Sequence, residues 1–305
     1  SFNQTLLSWD VSSVISMNSM FYDADSINQD LSSWDVSGVT NMTDMFSGAD
    51  SFNGDISTWD VGSVTNMGSM FFDAASFNGD LSNWDVSSVT DMNEMFENAA
   101  SFNGDLSSWD VSSVTTMSDM FDGATSFNQD LSSWDVSGVT NMYDMFQNAT
   151  SFNGDISSWD VSSVTGMIGM FKWSTSFNQD LSNWDVSSVT NMTDMFDGAD
   201  ALSDGSKCAI HTSFLSNENW PYDWFEFCSI FHPETTEELQ TAVDLWGSNN
   251  TDALSDYHGI NTWDVALITD MNELFKNKTD FNDNISNWDV SSVANMQAMF
   301  SDATS

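Results

Sequence analysis

Apolar positions recur along this chain with a period of 25 residues, without slippage from Ser1 to Asp200 and again over Ser255–Thr279 and Asp280–Thr304. The unit reads approximately S-F-N-x-D-L-S-S-W-D-V-S-S-V-T-x-M-x-x-M-F-x-x-A-x, with eight copies in the first block and two in the second. Trp holds the ninth position of every copy, from Trp9 to Trp288, and Phe holds the twenty-first, from Phe21 to Phe300. All 19 Met fall at positions 17 and 20, where Leu274 is the one substitute. A fixed period of this length marks units that cannot bury their apolar face alone. Each side chain is therefore expected to pack on its own equivalent one coil away, at about the 4.8 Å spacing of paired strands. The segment Leu31-Ser-Ser-Trp34-Asp-Val36 predicts a short parallel strand with Leu31, Trp34 and Val36 inward. From Val39 through Met42 to Met45 and Phe46, the spacings predict a tight helical or 3₁₀ turn on the opposite side.

A Met stripe also suits copper, because thioethers are soft ligands, and a Trp column also suits sugar stacking. Here each Met lies between Val and Phe, and each Trp alternates with polar neighbours. Both columns read as core. Together they resemble the leucine-rich repeats of BspA-like surface proteins, in the branch whose units read W-D-V-S-x-V-T-x-M-x-x-M-F. The resemblance implies a right-handed, leucine-rich-repeat-like solenoid of short parallel strands and helical turns on a secreted or surface-exposed protein. It leaves molecular function open.

Both Cys and both Pro fall between the two repeat blocks, and the composition changes there. Residues 201–231 are dense in aromatics and are expected to cap the array of residues 1–200. Cys208 and Cys228 read as one disulfide in an otherwise Cys-free chain. A zinc site of Cys208, His211, Cys228 and His232 is the alternative. Within 232–254, Leu239, Ala242, Val243 and Trp246 share one helical face, Thr235 and Glu238 form a capping box, and Gly247 supplies a stop. This helix is expected to open a second array at residues 255–305, so the chain holds one capped array and the start of another.

Charge narrows the partners. Forty-six Asp and Glu stand against four Lys and no Arg, for a net charge of −42. No basic stripe exists to displace counterions, so nucleic acid and anionic membrane surfaces are excluded as partners. No apolar run is long enough to span a membrane. Carboxylates that recur in every coil mark a structural position and not a unique acid/base pair, and three His with no Arg leave little for nucleophilic or phosphoryl chemistry. The chain does not read as an enzyme, and no cofactor is required.

The recurrent polar feature is the tenth-position Asp, including Asp35, Asp60, Asp85, Asp110, Asp135, Asp160 and Asp185. It reads as a solvated column capping neighbouring Ser, with Ca²⁺ or another ligand on the same face as the alternative. Sequons at Asn148, Asn277, Asn41, Asn191 and Asn249 are candidate glycosylation sites, whereas Asn3 belongs to a third-position column expected to form a buried amide ladder. Ser1 begins in full register. Phe2, Trp9, Met17 and Phe21 are therefore expected to present an uncovered ladder for end-to-end assembly with preceding chain or a neighbouring copy. The expected function is an extracellular or cell-surface structural protein of a filament, appendage or coat. The alternative is an adhesion module that holds a basic protein, a glycan or a cation-bridged ligand on its Asp/Ser face.

Overall fold

The computed structural model describes residues 2–224, 227–228, 231–257 and 259–303. The chain forms two compact units, Ser1–Ser206 with Ser213–Tyr222, and Lys207–Thr212 with Asp223–Ser305. Helices among the described residues are α1 (Asp204–Phe214), α2 (Thr236–Ser248) and α3 (Asn250–Tyr257), and a 3₁₀ turn spans Ile260–Thr262.

In the first unit each 25-residue copy is one coil, and like packs on like. The rings of Trp34 and Trp59 stack at 6.4 Å, Phe46 and Phe71 at 5.7 Å, and Phe52 and Phe77 at 5.9 Å. Val, Met, Phe and Ala of the interior coils are fully buried beside them. Each buried indole would be costly without a partner. Its N–H donates to the sixth-position carbonyl of the preceding coil, as Trp59 Nε1 does to Leu31 O at 2.9 Å and Trp109 Nε1 to Leu81 O at 3.0 Å.

The expected leucine-rich-repeat-like solenoid of short parallel strands is not what these residues build. Among the described residues no β-strand forms, and parallel pairing is confined to isolated bridges such as Ser16↔Asn41 and Asn41↔Asn66. The segment from Leu31 to Val36, expected to be a strand, holds a turn closed by Trp34 N–H to Leu31 O at 3.0 Å. Nor do Val39 to Phe46 form a helix; they run through a bridge and hydrogen-bonded turns. The physical reason lies in the backbone between positions 16 and 23. Met42, Asp44, Phe46 and Gly48 donate to carbonyls of the next coil, while Met45 and Ser47 close turns onto Met42 and Asp44 within their own coil. Left-handed residues recur at positions 19 and 23, among them Ser19, Asp44 and Glu94, then Asp23, Gly48 and Asn98. Coil-to-coil bonding is thus broken every few residues by a turn, and no extended ladder can propagate.

The last coil is closed by side chains that reach its open carbonyls. Asn217 Nδ2 donates to Val186 O at 2.7 Å and Val189 O at 2.8 Å, and Ser213 Oγ donates to Ser182 O at 2.6 Å. Trp220 packs edge-on against Phe196 and Phe214. In the second unit, α2 starts at a capping box in which Thr235 accepts from Glu238 N–H and the Glu238 carboxylate accepts from Thr235 N–H. Leu239, Ala242, Val243 and Trp246 are buried with Trp263, Met271 and Phe275. Gly247 is not the stop expected of it; α2 runs on to Ser248, and α3 follows after Asn249.

Candidate functional site: the carboxylate and hydroxyl face

Positions 10, 12, 13 and 15 lie between inward-pointing Trp, Val and Val, so their side chains fall on the outer surface. Asp35 Oδ1 accepts from Ser37 N at 3.1 Å and Ser37 Oγ at 2.6 Å, and Asp85, Asp110, Asp135 and Asp160 repeat both bonds with Ser87, Ser112, Ser137 and Ser162. Asp185 accepts from Ser187 N at 3.0 Å. The serine hydroxyl and then its N–H hold the carboxyls of Asp35, Asp85, Asp110, Asp135, Asp160 and Asp185 below the usual carboxylate range. A fifth-position column, including Asp30, Asp80 and Asp105, is bonded to Ser in the same way. Thr40, Thr65 and Thr90 donate their hydroxyls to the fifteenth-position carbonyl of the coil before.

One coil of the first unit breaks this pattern. Gly62 stands where its neighbours carry Ser, so Asp60 accepts only the Gly62 N–H, at 3.2 Å. The same coil borders an open depression of about 400 Å³ lined by Ser57, Thr58, Trp59, Asp60, Val61, Asn83 and Asp85. Among the described residues no group of three or more His, Cys, Asp or Glu is placed to hold a metal ion. Cys208 and Cys228 are joined in a disulfide with Cα atoms 4.9 Å apart, so neither offers the thiolate that the zinc alternative needs. Of its two histidines, His211 is buried on α1 and His232 Nδ1 lies 3.0 Å from Asp264.

The sequons differ in setting. Asn277 is exposed in a left-handed turn at φ 61°. Asn148 shares that backbone at φ 54°, but its amide donates to Asp122 Oδ1 at 3.1 Å. Asn41 and Asn191 sit half-buried at bridge positions, with side-chain oxygens that accept from both N and Oγ1 of Thr43 and Thr193. Asn249 follows α2 and donates to Asp252. The Asn3 column does form a ladder, but an exposed one: each Asn oxygen accepts the backbone N–H of the next Asn, from Asn28 N on Asn3 to Asn178 N on Asn153. Of the four residues expected at the assembly face, Phe2 and Trp9 are exposed, whereas Met17 and Phe21 are already buried by the second coil.

A second acidic column escaped the sequence reading. Positions 19 and 22 bring Glu94, Glu97, Asp119, Asp122 and Asp144 together, half-buried, on the turn side of the first unit. Burial first, and then the charges of Asp119, Asp122, Glu94 and Asp73, push Glu97 up to about 8. Burial and the charges of Asp144, Asp122 and Glu94 push Asp119 up to about 6. The usable signal was an acid recurring between the two Met columns, at Asp44, Glu94, Asp119, Asp144 and Asp194.

The family described as "Mycoplasma protein of unknown function, DUF285" matches residues 1–84, 55–142, 130–213 and 245–305. The chain belongs to this family. Successive overlapping matches are what a tandem repeat produces, and in this DUF285 chain they leave residues 214–244 unmatched, the stretch holding Cys228 and the start of α2. No curated protein and no solved structure matches the chain.

Proposed function

We propose that this chain is a non-catalytic structural protein of an extracellular filament or surface coat, in which repeat coils stack on one another. The observation that supports this reading is the unbroken Trp column of the first block. Each interior ring is held between its equivalents on the two neighbouring coils, as Trp34 is, stacked 6.4 Å from Trp9 and from Trp59 and only 4% exposed. An apolar ladder face of this kind is complementary to any further coil of the same repeat. A head-to-tail contact between coils propagates without closing. The resemblance to BspA-like surface repeats and the disulfide both agree with an exported protein. Electron microscopy of the native protein tests the reading. Filaments that lengthen with protein concentration are expected. Particles that remain single at high concentration would overturn it.

A second reading is favoured by the continuous carboxylate and hydroxyl face. Ionised Asp held at regular intervals by Ser suits a basic protein or a cation-bridged ligand better than it suits any unique reaction. Retention of the monomer on a basic protein column in a salt-dependent manner separates it from the first.

A further inference from the structure

Ten copies of the repeat place position 23 in left-handed backbone, and nine of them use Gly, Asn or Asp there: Asp23, Gly48, Asp73, Asn98, Gly123, Asn148, Gly198, Asn277 and Asp302. Those are the residues that tolerate positive φ at least cost. The seventh coil instead carries Trp173, at φ 60° and 51% exposed. A bulky residue in this backbone is an outlier, and an observed outlier of this kind motivates a hypothesis of function. The departure is local to one coil. There Gly166, Ile168, Gly169, Lys172, Trp173 and Ser174 replace the polar and acidic turn of its neighbours.

The neighbouring backbone is shaped to receive the ring. Trp173 lies against Gly198 of the next coil, where a Cβ would collide with the indole. In the same manner Tyr143, also exposed, lies against Gly166. Both aromatic rings therefore rest on bare glycine backbone of the following coil, Tyr143 37% and Trp173 51% exposed. Lys172 Nζ stands 5.0 Å from the Trp173 ring centroid and donates to Asp194 Oδ2 at 2.7 Å. The paired donor and acceptor thus border a half-exposed aromatic ring, with Lys172 over it.

We propose that Trp173, with Lys172 and Asp194, forms a stacking platform for a neutral carbohydrate. A pyranose ring offers an apolar C–H face to the indole and hydroxyls that both donate and accept. It can engage Lys172 and Asp194 without charge repulsion from either. An anionic ligand meets the −42 net charge of the chain. A cationic side chain would have to displace Lys172, which already takes the cation's place over the ring. The site lies away from the Trp9 face and does not depend on end-to-end assembly.

Cellohexaose, mannohexaose and chitohexaose are the probes, each titrated into the whole chain by calorimetry and by saturation-transfer NMR, with poly-L-lysine as the cationic contrast. The variant is Trp173→Asn, the residue of Asn98 and Asn148, with Trp173→Asp, as at Asp23 and Asp73, as its second form. Both relieve the backbone, so the melting temperature should hold or rise. At least one hexasaccharide should bind the parent and lose about tenfold or more in affinity in both variants. The proposal is overturned if none of the three binds, if the variants bind as the parent does, or if only poly-L-lysine binds in a Trp173-dependent way.

Discussion

Replacing Glu97 by Gln removes one charge from the most crowded point of the turn-side acidic column. The Glu97 carboxyl is half-buried, and the charges around it are Asp73, Glu94, Asp119 and Asp122 from its own and adjacent coils. A carboxyl raised from 4.5 to about 8 in the folded chain favours the protonated form. Its contribution to stability is complete below pH 4.5 and lost as pH rises through about 8. At ~1.4 kcal/mol per pH unit the full interval corresponds to about 5 kcal/mol. Because the group is partly exposed and its neighbours face water, solvent screening reduces this to about 1–2 kcal/mol. Thermal and urea denaturation from pH 5 to pH 9 should therefore show the parent losing stability toward pH 9. The variant should be the more stable of the two at pH 9, and the two should converge near pH 5. Salt at 0.5 M should narrow the gap. The tenth-position Asp carboxyls, held below their usual range, lose their contribution only in more acid solution and do not enter this window. Equal midpoints for parent and Glu97→Gln at pH 9, or a parent more stable at pH 9 than at pH 5.5, would refute the reasoning.

Three further outcomes are expected. Trp109→Ala removes a ring 6.5 Å from Trp134 and the bond to Leu81 O, and should cost about 3–5 kcal/mol; hydrogen exchange should show the loss concentrated in the adjacent coils, because repeats couple mainly to neighbours. Gly62→Ser fits ordinary space, with the new Cβ 3.4 Å from Asp60 Oδ1, and restores the hydroxyl bond of the other coils; a gain of about 0.5–1 kcal/mol is expected in urea denaturation, and a loss would count against the column argument. Reduction of Cys208–Cys228, which closes a separation of 20 residues, should lower stability by about 3 kcal/mol in the chain-entropy account, read as a drop in melting temperature with reductant.

Much of this molecule follows from its period. Recurrence of Trp, Met and Phe every 25 residues determines that like stacks on like, because only a translated copy offers each apolar side chain an equivalent partner. The same regularity placed the Asp column outside, and the isolated pair of Cys indicated the disulfide. Local spacing also determined α2, whose capping box and apolar face are both written within 13 residues.

Backbone conformation was decided elsewhere. An L-x-x-W-x-V segment is compatible with a strand, but strand formation needs successive residues whose bonding groups all face the neighbouring coil. Turns at Met45 and Ser47 and left-handed residues at positions 19 and 23 prevent this. The acidic column could not be weighed from sequence, because Glu94, Glu97 and Asp119 are only partly buried and repel one another through coils that stacking alone brings together. Trp173 shows the same division: the sequence gives an unusual residue in one coil, and only the tertiary structure reveals that its backbone is left-handed and that Gly198 lies beneath its ring. Periodicity fixes which residues meet, since it depends on translation alone; chain direction, turn handedness and desolvation depend on the path between the repeats, and that path exists only in the folded stack.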